Sequence, residues 1–195
     1  PLRTLYPHPC AYRHMTKAEV TSFAEGFAQR CAPVPSERGA ARRLFEATRA
    51  AAANIAGLEG SGLGVQPVCY AAGALFDSGD IHTCVRAPSA EPSCSADAVV
   101  RLSAWLESHA EQGDAPWLLL VCDQWGVLHA PFSMGRSYLI AHGFAEVRLL
   151  LHDATTGELC ELTCGDLAGI ISSDRGCANN GKLPTGAAVT CDDIG

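Results

Sequence analysis

The chain has 195 residues, of which 48% are hydrophobic and 18% charged, and its formal charge is −7. That length is enough for one well-buried core and does not require a second. The acid excess excludes the cationic surplus that carries sequence-independent nucleic-acid binding, and no apolar run reaches membrane-spanning length, so a nucleic acid is expected only inside a larger complex and a membrane not at all.

Thr16-Lys17-Ala18-Glu19 has the Thr-x-x-Glu form of a capping box, and Val20, Phe23, Ala24 and Phe27 follow at helical spacing, which predicts a helix to about Gln29. Pro33 and Pro35 end it. Ser36 is placed to cap a second helix through Leu44, Phe45, Thr48, Ala52 and Ile55, closed by Gly57 and the connector Gly60-Ser61-Gly62-Leu63-Gly64. Its Arg38, Arg42, Arg43 and Arg49 are interrupted by Glu37 and Glu46, the pattern of a solvated face with local ion pairs. Residues 68–76 are apolar, Asp77-Ser78-Gly79-Asp80 is turn chemistry, and 81–85 resumes as a strand, which predicts a β-hairpin. From Ser95 the set Ala98, Val99, Leu102, Trp105 and Leu106 has helical period, with Ser93 or Ser95 as the cap. Residues 117–122 form a continuous apolar run that suits a strand buried on both faces. Asp123-Gln124-Trp125-Gly126 turns the chain, and 134–142 reads as a short helix closed by Gly143. Residues 147–151 and 159–162 flank Asp153-Ala154-Thr155-Thr156-Gly157 as a second hairpin, 166–171 resemble a last helical turn, and the tail from Ser172 has no core pattern. Trp105, Trp117 and Trp125 read as core or turn aromatics.

Helix, hairpin, helix, strand, helix, hairpin and a short terminal helix predict an α/β fold, a three-layer α/β/α sandwich around a mixed sheet of about five strands. The chain contains ten cysteines, and Cys69 and Cys122 stand inside apolar runs where a thiol behaves as a small hydrophobe. Cys160 and Cys164 lack a partner pair at metal-binding spacing. The expectation is a reduced, intracellular protein with mostly structural thiols. The chain opens at Pro1 and its start carries Arg3, Arg13, Lys17, His8 and His14, a composition that suits a processed organellar sequence and leaves cytoplasm and mitochondrion both open.

Order and motifs together give the core from about Arg42 to Ser173 a resemblance to the cytidine deaminase family. Ala71-Ala72-Gly73-Ala74-Leu75 resembles the family's first strand, Ser78-Gly79-Asp80-Ile81 its turn, Ser95-Ala96-Asp97 the Cys-Ala-Glu helix start, and Cys164 to Ile171 the terminal segment. Pro131-Phe132-Ser133-Met134-Gly135-Arg136 has the layout of the Pro-Cys-x-x-Cys-Arg zinc signature, with Phe132 and Gly135 where the two cysteines would be. The division this implies is an N-terminal arm and helix at 1–35, a deaminase-like domain at 36–173, and a tail at 174–195.

Carried onto this chain, the family's metal positions hold Ser95, Phe132 and Gly135 and its proton-shuttle position holds Asp97. Its substrate clamp falls on Arg86 and Pro88, and its signature arginine on Arg136. Phenylalanine and glycine offer no ligand atom, and a serine hydroxyl is a poor zinc ligand beside thiolate or imidazole. From this joint departure the sequence leads to a catalytically inactive, deaminase-like scaffold or interaction subunit of a homo- or hetero-oligomer. Its partner is another protein or an active paralogue, and neither a catalytic residue, a cofactor nor a metal is expected. The alternatives are an active zinc-dependent nucleoside or nucleotide deaminase with a displaced metal site, for which Cys84, Cys94 and His129 are candidate ligands, and a nucleoside-binding sensor. His109-Ala110-Glu111 spells a motif found in other deaminase branches, but it falls at a helix end beside Gln112-Gly113-Asp114 and reads as an exposed terminus with His near the helix dipole.

Overall fold

The apolar runs in the middle of the chain pair as a sheet. In the computed structural model, which describes residues 16–35, 39–58, 68–87 and 96–167, β1 (Tyr70–Phe76) turns back into the antiparallel β2 (Ile81–Val85). On its other side β1 pairs antiparallel with β3 (Pro116–Asp123), and the two-residue β4 (Leu128–His129) folds back onto β3. β5 (Arg148–His152) runs parallel to β3, and β6 (Leu159–Thr163) returns antiparallel at the edge. The main order is β2-β1-β3-β5-β6. A parallel β3–β5 pair needs a crossover, which α5 (Ser133–Ala141) helps to supply.

Side chains alternate between the two faces of a strand, and here both faces are covered. Leu75, Leu118, Leu120, Cys122 and Leu150 meet Leu44 and Phe45 of α2 (Gly39–Leu58). Ala72, Ala74, Phe76, Leu119, Val121 and Leu149 meet Val99 of α3 (Ala98–Arg101), Leu106 of α4 (Ser103–Glu111), Leu139 of α5 and Val20 of α1 (Lys17–Ala28). The result is the expected three-layer α/β/α sandwich. Helix α2 lies so close to β1 that a Cβ at position 73 would stand 2.8 Å from Leu44 Cδ1 and collide with the Thr48 hydroxyl, so the strand carries Gly73 there. The buried Thr48 hydroxyl is satisfied by donating to the Leu44 carbonyl at 2.8 Å.

The capping box at α1 forms as read: Thr16 Oγ1 accepts from the Glu19 amide at 3.3 Å, and Glu19 Oε2 accepts from the Thr16 amide at 2.7 Å. Three sequence expectations shift. The helix read from Ser95 is two pieces, α3 and α4, and its cap is Asp97, whose Oδ1 accepts from the Val99 and Val100 amides at 2.8 and 3.2 Å. Gly57 lies inside α2 rather than ending it, and the last turn, α6 (Cys164–Leu167), starts before Asp166. Ser36, Ser93, the 60–64 connector and the tail from Ser172 fall outside the described residues.

The segment around α1 is stitched to the sheet's end. Trp125 Nε1 donates to Glu25 Oε1 at 3.3 Å, and the Ala32 amide donates to the Gly157 carbonyl at 2.8 Å. Cys31, Cys69, Cys84, Cys122, Cys160 and Cys164 are free thiols. Burial, with the Asp123 charge adding to it, pushes Cys122 up, and burial pushes Cys31 up to about 11, which makes both inert. Among the described residues no helix is long and apolar enough to cross a membrane.

Candidate functional site

The motif positions gather at the end of the sheet where β1 starts. Phe132 is the residue before α5 and makes no side-chain cap. Its ring instead packs edge-on against Tyr70, centroids 5.0 Å apart, and Tyr70 meets His129 in the same way at 5.2 Å. Gly135, in the first turn of α5, is pressed onto the start of α3. A Cβ there would stand 2.9 Å from both Asp97 Oδ1 and Val99 Cβ. The position that resembles a zinc cysteine therefore has no room for any side chain. Asp97 is 6% exposed, and burial raises its pKa above the ordinary carboxylate range against the lowering effect of the two amides and the nearby Arg86 charge. Arg136 donates to the Pro131 carbonyl at 2.8 Å and so ties down its own loop. Pro88, Cys94 and Ser95 lie outside the described residues.

The zinc that the family resemblance implies thus finds no donors at Phe132 or Gly135, and the nearest carboxylate is committed to capping. The Cys84 thiol donates to the Arg101 carbonyl at 3.3 Å, and His129 Nε2 lies 2.9 Å from Asp123 Oδ2. Asp123 is 2% exposed, and its Oδ1 accepts from the Trp125 and Val127 amides at 3.0 Å each, so the pair organises the β3–β4 turn.

Ligand-bearing side chains converge at the opposite end of β1, roughly 20 Å away along a seven-residue strand. Asp80, His109 and Asp114 each offer a ligand atom, and these atoms all lie within 4.8 Å of one another. Local chain chemistry builds this. Asp80 closes the β1–β2 turn, where its amide donates to Ser78 Oγ at 3.2 Å and its carbonyl accepts from the Phe76 amide at 3.0 Å. His109 stands in the last turn of α4. Gly113, at φ +77°, bends the chain in the left-handed region so that the Asp114 amide donates back to the His109 carbonyl at 2.9 Å. The Asp114 side chain is thereby brought under the imidazole, with Oδ2 2.7 Å from His109 Nδ1, while Oδ1 accepts from the Ser78 amide at 2.9 Å. The bond from His109 holds the Asp114 carboxyl below its ordinary range.

Aromatic rings frame the group. His109 stacks on Phe76 with centroids 4.0 Å apart, and its Nε2 lies 3.1 Å from Nε2 of His82 on β2. Trp105, one helical turn before His109, covers the face of His82 at 4.0 Å and 10°. Burial, with the neighbouring His109 adding to it, lowers the His82 pKa against the raising effect of Asp80, so His82 is neutral near pH 7.

Three expectations are corrected here. His109 is not an exposed helix terminus: its side chain is 14% exposed and engaged on both nitrogens. Trp105 is not a core residue, since 45% of it faces solvent. The expectation of a non-enzyme is corrected by Asp80, His109 and Asp114, whose converging ligand atoms form a group that could hold a metal ion. None of the three stood among the ligands expected from sequence. The signal available was a histidine five residues before an aspartate with a glycine between, together with Asp80 and His82 from the first hairpin.

No family model matches the chain, and no curated protein matches it. Among solved structures, the cytidine deaminase from Mycobacterium tuberculosis is 23% identical, with 63% of this chain and 92% of that chain covered and a TM-score of 0.45. The enzyme from Mycobacterium leprae is 20% identical over 64% and 93% with a TM-score of 0.48, and that from Burkholderia pseudomallei 20% identical over 64% and 93% with a TM-score of 0.46.

Proposed function

On a cytidine deaminase-like fold, we propose a metal-dependent hydrolase of the nucleoside or nucleotide deaminase class, with its metal displaced to the hairpin end of the sheet. The observation that carries the reading is the convergence of Asp80, His109 and Asp114 within 4.8 Å. Two carboxylates and an imidazole are a donor set for zinc, manganese or ferrous iron rather than for copper(I) or an iron–sulfur cluster. Were one of these ions held by Asp80, His109 and Asp114, it would supply a bound water more acidic than bulk water and so a hydroxide nucleophile.

The chain's own residues supply the rest. The Ser78 amide holds Asp114, Asp114 sets the orientation of His109, and the exposed Asp80 offers a carboxylate at the mouth of the group. The solvent-facing indole of Trp105 gives a planar substrate a surface to stack on beside these groups. Cytidine is the substrate of the solved counterparts by name, and it and deoxycytidine are the first compounds to assay.

The test is to load the purified protein with zinc or manganese, remove the excess, and measure retained metal and ammonia release from cytidine, deoxycytidine and their monophosphates. Retention of about one equivalent with ammonia release, both lost in Asp80→Ala together with Asp114→Ala, is the expected result. A protein that retains metal yet releases no ammonia from any of them overturns the deaminase assignment, and one that retains no metal overturns the whole reading.

A further inference from the structure

The metal group alone does not account for the pair of imidazoles beside it. Two Nε2 atoms 3.1 Å apart require one to carry a proton and the other a lone pair. The other nitrogen of His109 is linked to this one: Nδ1 lies 2.7 Å from Asp114 Oδ2, a hydrogen-bond separation with the proton on Nδ1, and an ion taken up there would displace that proton and spread the pair. The two contacts are therefore linked. With a proton on Nδ1 facing Asp114, Nε2 accepts from His82; with a metal on Nδ1, Nε2 carries the proton and must donate it.

We infer that His82 is the positioning residue of the metal centre, accepting the Nε2 proton of His109 and so turning the Nδ1 lone pair toward Asp80 and Asp114. The inference rests on the metal reading proposed above and adds a residue to it. The surroundings favour this role. His82 is clamped between Trp105, stacked at 4.0 Å, and Phe76, edge-on at 5.7 Å, while Phe76 also stacks on His109 at 4.0 Å. Phe76 thus sets the mutual tilt of the two imidazoles, 60° at 5.0 Å between centroids, and the rings have little freedom to leave it. Histidine ligands commonly donate their second N–H to an outer acceptor, and loss of that acceptor weakens metal affinity about 10–100-fold. Here the acceptor comes from a different element, β2, so the centre is completed only when the β1–β2 hairpin is docked on α4.

The experiment measures zinc and cobalt(II) affinity of the metal-free protein by competition titration in wild type, His82→Phe and His82→Gln, each checked for an unchanged urea transition. Phenylalanine keeps the ring between Trp105 and Phe76 but accepts no hydrogen bond; glutamine restores an acceptor. The expected result is an affinity about 10–100-fold weaker in His82→Phe and largely recovered in His82→Gln. Equal affinity in wild type and His82→Phe, or a glutamine variant as weak as the phenylalanine one, overturns the inference while leaving the metal centre standing. A wild type that binds neither ion overturns both. Ring nitrogen NMR of zinc-loaded wild type decides the matter without any variant: a metal-bound Nδ1 and protonated Nε2 on His109 support the role, and a metal-bound Nε2 refutes it.

Discussion

Gly135 shows how one residue settles the fate of a motif. In the layout Pro131-Phe132-Ser133-Met134-Gly135-Arg136 it looks like a cysteine replaced by the smallest alternative, and sequence alone treats that as loss of a ligand. Packing gives it a positive role, because α5 can approach the start of α3 only if position 135 has no Cβ. The two atoms it would meet are the Asp97 carboxylate oxygen, pinned by the Val99 and Val100 amides it caps, and the branched carbon of Val99. Gly135→Ala should therefore destabilise the fold by about 1–3 kcal/mol, the usual cost of overpacking, although alanine is the better helix former by up to ~1 kcal/mol. Urea unfolding of the two proteins measures the difference. A variant as stable as wild type would mean that the two helix starts do not touch as described. Asp97 belongs to the same contact, and its role as cap explains why an acid survives where the resembling family has its proton shuttle.

At the scale of elements, hairpins and long strands were legible and junctions were not. The turn chemistry of 77–80 and 153–157 lies between β-rich runs, so both hairpins follow from local residues, and the continuous apolar run of 117–122 marks a doubly covered strand. The two-residue β4 carries no period to read, and its place is fixed by contacts from far along the chain. One of these is His152, at the end of β5. Its Nδ1 accepts from the Leu128 amide at 2.9 Å and its Nε2–H donates to the Ala32 carbonyl at 2.9 Å, so β4, β5 and the segment after α1 share one neutral imidazole. Burial lowers its pKa first, and the His129 charge adds to that, while the Ala32 carbonyl and Asp123 oppose it. A depressed histidine pKa means that below the ordinary value of about 6.5 the unfolded chain takes up a proton that the folded chain refuses. Stability from this group is therefore complete above pH ~6.5 and is lost as pH falls toward the folded value. His152→Gln should cost about 1–3 kcal/mol at pH 7.5 through imperfect replacement of two hydrogen bonds. It should also shrink the fall in urea midpoint between pH 7.5 and 5.5 relative to wild type. An unchanged fall would assign the pH dependence to other groups. The candidate metal group was legible only in part: the bend at Gly113 brings Asp114 to His109 locally, whereas Asp80 joins them only when the β1–β2 hairpin folds against the end of α4.

For the whole molecule, the question is whether the segment before α2 is an attachment or a part of the core. Sequence separates 1–35 from the rest of the chain because Pro33 and Pro35 interrupt the helical pattern, and proline is a natural boundary mark. The buried residues connect what the prolines separate. Val20 packs with the sheet face that holds Leu119 and Val121, and Val34 packs with the opposite face beside Leu44 and Leu150. Phe27 is 4% exposed between them. One segment thus contributes to both cores, passing around the end of the sheet where Trp125, Gly157 and His152 hold it. A fully buried Val or Phe contributes about 1.5–3 kcal/mol, and three of them together rival the ~5–15 kcal/mol by which a domain of this size is stable. Deleting residues 1–35 should accordingly leave a chain without a cooperative urea transition, or with one at much lower denaturant and a smaller slope, because less surface would be buried. The measurement is equilibrium unfolding followed by tryptophan fluorescence and by circular dichroism. Coincident transitions at the wild-type midpoint would show that the sheet and its helices stand alone and that the α1 segment merely rests on them. If the transition is lost, the two faces of the sheet are covered as one unit, and the hairpin end that carries Asp80, His82, His109 and Asp114 depends on a segment packed at the far end of the strands.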